Sequence, residues 1–168
     1  MSSVGRAALL CSVGVGVSAC GTDDSVQAPL TGQEAGARCN GLGQFAAEVP
    51  ERLESGAVPV LGGGSVVQGV YMLTFAALYG GSGAERSVAE TLQLTPGSAE
   101  AVYGAAPGTS ATYDTTASGT TLTWTVVCSD EARGSAQSLD YEALPDGLQT
   151  LRATGMTWEY RAYTRISD

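Results

Sequence analysis

The sequence predicts an all-β domain, an antiparallel meander of about eight strands that closes as a barrel or, alternatively, folds over as a β-sandwich. Three observations predict it. From residue 65 onward apolar and polar residues alternate with period two, those stretches are rich in Thr and aromatic residues, and short Gly- and Pro-containing breaks separate them. Strict alternation with β-branched and aromatic enrichment is the pattern of a strand that buries one face.

The strands follow in order near 66–79, 87–95, 99–105, 110–117, 120–128, 137–144, 147–153 and 156–166. In 87–95, Val88, Leu92 and Leu94 oppose Thr91, Gln93 and Thr95; in 120–128, Leu122, Trp124, Val126 and Cys128 oppose Thr121, Thr123, Thr125 and Val127. Leu139, Tyr141 and Ala143 oppose Asp140 and Glu142, and in the last strand Met156, Trp158, Tyr160 and Ala162 oppose Thr157, Glu159, Arg161 and Tyr163. Pro96-Gly97, Pro107-Gly108, Ser118-Gly119 and Pro145-Asp146-Gly147 supply the turns. The first strand departs from alternation, with Val70, Met72, Ala76 and Leu78 on one face and Tyr71, Leu73, Phe75 and Tyr79 on the other. Both faces being apolar, it is expected to be covered on both sides, with the segment 45–53 as a candidate cover. Residues 45–55 read as a turn or two of helix, interrupted by Pro50 and bounded by Gly41, Gly43 and Gly56. A meander of this length must close or fold over, since a flat sheet leaves two open edges.

Composition narrows the chemistry. The 168 residues are 43% hydrophobic and only 15% charged, with 23 glycines, and 17 acids against 8 bases give a formal charge of −9. Every base is an arginine, and there is no lysine and no histidine. A Ser-His-Asp or Cys-His pair, a Schiff-base lysine, a P-loop and a histidine metal ligand are therefore excluded. Nucleic acid is a poor partner, because a chain at −9 has little with which to neutralise phosphates. The acids Asp23, Asp24, Asp130, Glu131 and Asp140 lack calcium-loop spacing and read as solvated charges. Gly41-Leu42-Gly43-Gln44-Phe45-Ala46 has the letters of a dinucleotide fingerprint, but no strand precedes it. Neither enzymatic activity nor a cofactor or metal is expected.

The N-terminus carries Arg6, then an uncharged apolar run over 7–19, the length of a signal-peptide core and too short to span a bilayer. It ends in Val17-Ser18-Ala19-Cys20, which resembles the lipobox of bacterial lipoproteins. The resemblance implies diacylglycerol on the Cys20 thiol, cleavage before Cys20, and attachment to the membrane through that lipid. Two or three acyl chains hold a soluble domain where one would not. Gly21 follows in place of Asp, which by the enterobacterial sorting pattern implies the outer membrane of a Gram-negative cell envelope. The expected organisation is a signal peptide over 1–19, a flexible tether over 20–57 and the β domain over 58–168. Cleavage would remove Cys11 and lipidation would consume Cys20, leaving Cys39 and Cys128 in an oxidising compartment. These either pair as a disulfide, worth about 4–5 kcal/mol for so long a loop, or remain two buried thiols.

A second likeness lies in the β region. Gly69-Val70-Tyr71 on the first strand, the later Leu122-Thr123-Trp124 and the C-terminal Tyr160-Arg161-Ala162-Tyr163 resemble bacterial lipocalin-like lipoprotein domains. That resemblance implies an up-and-down barrel with Tyr71 at its floor and Arg161 or Arg165 packed over the ring. It also implies a ligand pocket drawn from Tyr71, Phe75, Trp124, Tyr141 and Trp158, unless those rings fill the barrel as core. Two functions follow as expectations: a displayed binding or structural module that meets an envelope protein or glycan, and a carrier of a small hydrophobic molecule.

Overall fold

The computed structural model describes residues 38–82, 84–131 and 136–167; the expected signal peptide, the lipobox and Cys20 lie outside them. The described residues form ten strands and no helix: β1 Val49–Glu54, β2 Gly69–Tyr79, β3 Arg86–Val88, β4 Glu90–Thr95, β5 Ser98–Tyr103, β6 Thr109–Ser118, β7 Thr121–Ser129, β8 Ala136–Leu144, β9 Gly147–Thr154 and β10 Thr157–Ser167. Strands β4 to β10 pair antiparallel with their sequence neighbours, β2 pairs antiparallel with β4, and β10 returns to β2 along most of its length. The result is a closed eight-stranded antiparallel barrel with β1 and β3 added at one seam. Closure removes the two free edges that the meander would otherwise carry.

Two-residue connections drive the hairpins. Thr95 faces Ser98 across Pro96-Gly97, where Gly97 takes a φ of +76° that L side chains resist. The interior is filled by one residue from every other position. Ala99, Ala101 and Ala111 on one wall leave room for Tyr71, Tyr113, Trp124 and Tyr141 from the others, all in one buried cluster. Tyr113 and Trp124 pack with ring centroids 5.1 Å apart. An eight-stranded barrel is just wide enough for such side chains to fill its middle.

Residues 49–54, expected as helix, are instead strand β1, and they pair edge to edge with β2 rather than covering its face. Glu51 to Glu54 run parallel to Ala76 to Tyr79. Pro50, which lacks an N–H, is accommodated because β1 is a short strand in the added seam. The cover expected over the first strand comes elsewhere, to β4 to β6, from the chain just before β1. Asn40 Nδ2 donates to the Ala111 carbonyl at 2.8 Å, Gln44 Nε2 to Gly104 O at 2.8 Å, and Phe45 N to Thr91 Oγ1 at 2.9 Å. This strap buries the outward-facing row Thr91, Val102 and Ser110, which are register partners on adjacent strands.

The strap is pinned by a Cys39–Cys128 disulfide with Cα atoms 5.6 Å apart. Asp130, exposed to solvent, adds to the pin: its carboxylate accepts from Ser110 N at 2.7 Å, Ser110 Oγ at 2.6 Å and Cys39 N at 2.9 Å. The hydrogen bonds from Ser110, joined by that from Cys39 and the charge of Arg38, hold the Asp130 carboxyl below the usual aspartate value.

Candidate binding mouth of the barrel

The two ends of the barrel differ because β4 follows β2 only from Gly69 to Met72. Beyond that point β1 takes the place beside β2, and β3 pairs outside it, Val49 opposite Val88 and Glu51 opposite Arg86. The inserted strand separates β2 from the β3–β4 chain and opens that end. It also brings Glu51, only 2% exposed, into the barrel.

Register then builds an ion-pair network. Arg161 on β10 faces Ala76 on β2, Ala76 faces Glu51 on β1, and Glu51 faces Arg86 on β3. The small side chain at Ala76 lets Arg161 reach across it, so Arg161 Nη2 meets Glu51 Oε1 at 2.7 Å while Arg86 Nε meets Glu51 Oε2 at 2.5 Å. One row away Arg152 on β9 faces Glu159 on β10 and binds it through both Nε and Nη2. Arg152 Nη1 donates to Gln137 Oε1 at 2.7 Å, and Arg86 links the rows with Nη2 3.6 Å from Glu159. Opposite charges in directly facing cross-strand positions attract, and burial magnifies the effect.

Burial alone would raise the Glu51 carboxyl. The hydrogen bond from Arg86, with the charge and hydrogen bond of Arg161, outweighs it and holds Glu51 below the ordinary glutamate value. Burial, followed by the nearby Glu90 carboxyl, pushes Tyr103 and Tyr163 well up, so both stay neutral phenols. Tyr103 and Tyr113 share a hydroxyl–hydroxyl hydrogen bond of 2.9 Å.

Around these groups lies a cavity of about 310 Å³, lined among others by Glu90, Tyr103, Trp124, Gln137, Arg152 and Tyr163. Trp124 is 4% exposed, and its indole Nε1–H has no hydrogen-bond partner among the described residues. A buried N–H without an acceptor costs about 1–3 kcal/mol. Among the described residues no three His, Cys, Asp or Glu side chains are grouped as a metal site requires.

At the opposite end a cavity of about 550 Å³ is lined by Val66, Val67, Leu94, Leu122, Trp124 and Tyr141 among others. Here the chain preceding β2 folds over the opening. Tyr71 OH donates to Val67 O at 2.5 Å, Tyr141 OH to Gly64 O at 2.6 Å, and Gly63 N to Tyr141 O at 2.7 Å. Gly63, at φ +73°, approaches so closely that a Cβ would lie 2.5 Å from Gly119 O.

The five aromatic residues expected around a pocket are thereby divided. Trp124 lines both cavities, Tyr141 lines the second, and Tyr71 is buried in the core with its hydroxyl tied to the segment before β2. Phe75 lies on the outer surface, edge-on to Tyr160 with Arg52 5.4 Å above its ring. Trp158 alternates with the inward Glu159 and Arg161 and so faces outward with Tyr160. Arg165 stands directly across from Tyr71 in register, and its charge offsets part of the upward shift that burial imposes on that phenol. Arg161 is committed to Glu51.

Sequence reasoning did not single out Glu51, Arg86, Arg152 or Glu159. One signal was present: Tyr163 lies on the polar face of the last strand, a ring among charges, although Trp158 and Tyr160 set two rings on the opposite face. No protein-family model, curated protein or solved structure matches the chain.

Proposed function

We propose that this chain is a cell-envelope lipoprotein, held to the membrane through lipid on Cys20, whose barrel is a binding module with its charged mouth as the ligand-receiving end. The observation that carries the binding reading is the wall of Arg86, Arg152, Arg161 and Glu159 around a cavity, with Glu51 pairing Arg86 and Arg161, where a purely structural barrel would be filled with apolar side chains. Catalysis is the weaker reading because a chain without lysine or histidine lacks the usual activators of a nucleophile. Support for the anchor comes from the sequence, in the apolar run over 7–19 and the Val17-Ser18-Ala19-Cys20 motif. Gly21 favours the outer membrane.

A second reading, the carrier of a small hydrophobic molecule, draws on the other cavity with its Val66, Leu94, Leu122 and Trp124 walls. An apolar fluorescent probe that binds the full chain with one saturable site, unaffected by Arg152→Gln, favours the carrier over the charged mouth.

Mass spectrometry of the protein extracted from envelopes tests the anchor. The expected N-terminal residue is Cys20 carrying acyl groups. An unmodified N-terminus at another position overturns the lipoprotein reading.

A further inference from the structure

We infer that the charged mouth is a site for a small neutral polyhydroxylated ligand of one or two rings, a mono- or disaccharide. This inference rests on the binding-module reading and deepens it.

The electrostatics select against ions. Arg86, Arg152 and Arg161 are matched in number by the carboxyl groups of Glu51, Glu90 and Glu159. Each guanidinium is already held by a carboxylate: Arg86 and Arg161 by Glu51, Arg152 by Glu159. An entering anion would have to break one of these pairs and leave a carboxylate without its partner in a buried place, which costs several kcal/mol. An entering cation meets the same obstacle with the signs reversed. A neutral ligand breaks nothing.

The hydrogen-bonding character selects for hydroxyls. The wall carries donors in Arg152, Gln137, the neutral Tyr103 and Tyr163 phenols and Trp124, interleaved with acceptors in Glu90, Glu159, Gln137 and Thr150. A sugar hydroxyl is donor and acceptor at once, so a ring of hydroxyls can answer both kinds of group in any order. Trp124 is the independent pointer. It is 96% buried by its 4% exposure, it lines this cavity as well as the one at the opposite end, and its N–H lacks an acceptor among the described residues. A ligand oxygen supplies that acceptor without disturbing any ion pair. The rings of Tyr103, Trp124 and Tyr163 offer the apolar faces that the C–H side of a sugar requires. About 310 Å³ is near the lower limit of small-molecule pockets, which fits one or two rings and not a long glycan.

The test is calorimetric titration of the detergent-solubilised full chain with glucose, galactose, N-acetylglucosamine and their disaccharides, beside citrate, inorganic phosphate and glycine as charged comparators. The expected result is saturable binding of at least one neutral sugar at one site and none of the charged probes. Trp124→Phe keeps a ring and removes the N–H, so it should weaken that binding about tenfold. Should the variant fail to fold by circular dichroism, Gln137→Leu at the half-buried rim replaces it and should weaken binding in the same direction. Sugar binding unchanged in a folded variant overturns the site. Binding of citrate, phosphate or glycine in place of sugars overturns the ligand class and leaves the binding-module reading standing. Binding of none of the probes overturns the inference and the charged-mouth reading together.

Discussion

The two ends of this barrel are built from different physics. At one end the chain before β2 crosses the opening with neutral hydrogen bonds, phenol to carbonyl at Tyr71–Val67 and Tyr141–Gly64, and with a glycine that no other residue can replace without strain. At the other end an inserted strand widens the opening and ionic side chains line it. Neutral hydrogen bonds contribute about 1 kcal/mol each and hardly respond to pH. Ion pairs in a half-buried mouth depend on complete partnership, so removing one member exposes the cost of the other. One end is crossed by neutral hydrogen bonds of its own chain over a cavity of about 550 Å³, and the other is lined by ion pairs around one of about 310 Å³.

That contrast can be broken from the framework inward. Cys128→Ser removes the staple that fastens the strap beside the charged end, a bond spanning 89 residues of sequence, and should cost about 4–5 kcal/mol in urea unfolding under oxidising conditions. Equal stability of variant and wild type would mean that the strap is held by its hydrogen bonds alone. Glu51→Gln leaves Arg161, with a side chain 12% exposed, facing a neutral partner, and should cost about 3 kcal/mol.

The pH dependence sharpens this second prediction. Glu51 is held below its ordinary value of 4.5, so its contribution is fully present above the unfolded-state pKa and is lost as pH falls through the lower folded-state pKa. The gap between wild type and Glu51→Gln should therefore narrow as unfolding is measured at pH values progressively below 4.5. A gap that stays constant to strongly acid pH contradicts the ion-pair account.

At the plugged end the effects are smaller. Gly63→Ala combines a positive φ with a close approach to Gly119 O and should cost about 2 kcal/mol. Tyr141→Phe removes one hydrogen bond to Gly64 and should cost about 1 kcal/mol at neutral pH and at pH 4 alike. A strong pH dependence in either plug variant would erase the distinction between the ends.

The barrel itself was legible in the sequence because each of its hairpins is local. Alternation placed 147–153 and 120–128 within a residue or so of β9 and β7, and the Gly- and Pro-containing breaks fell at the turns. The charged mouth was not legible, because its members meet only after closure. Glu51 and Arg86 are 35 residues apart in sequence, and β1 reads as Val-Pro-Glu-Arg-Leu-Glu, with a proline and charges where a strand is expected to alternate. Its stability as a strand comes from pairing with β2 and β3, not from its own propensity. On β10 the alternation was visible but its inward face was ambiguous, since Trp158 and Tyr160 are bulkier than Glu159 and Arg161. Burial of the polar set makes sense only when Arg152, Glu51 and Ala76 are in place beside it.

The most direct test of the central claim, that the charged end is the binding end, is the indole N–H region of a two-dimensional nitrogen–proton NMR spectrum of the full chain during sugar titration. The chain has two tryptophans, Trp124 in the barrel and Trp158 on its outer face. The account predicts that the Trp124 indole signal moves progressively and saturates, with backbone shifts at Arg152 and Gln137, while Trp158 and the plug residues Gly63 and Val67 stay still. Shifts centred on the plug, or on Trp158 with Trp124 unchanged, would contradict it.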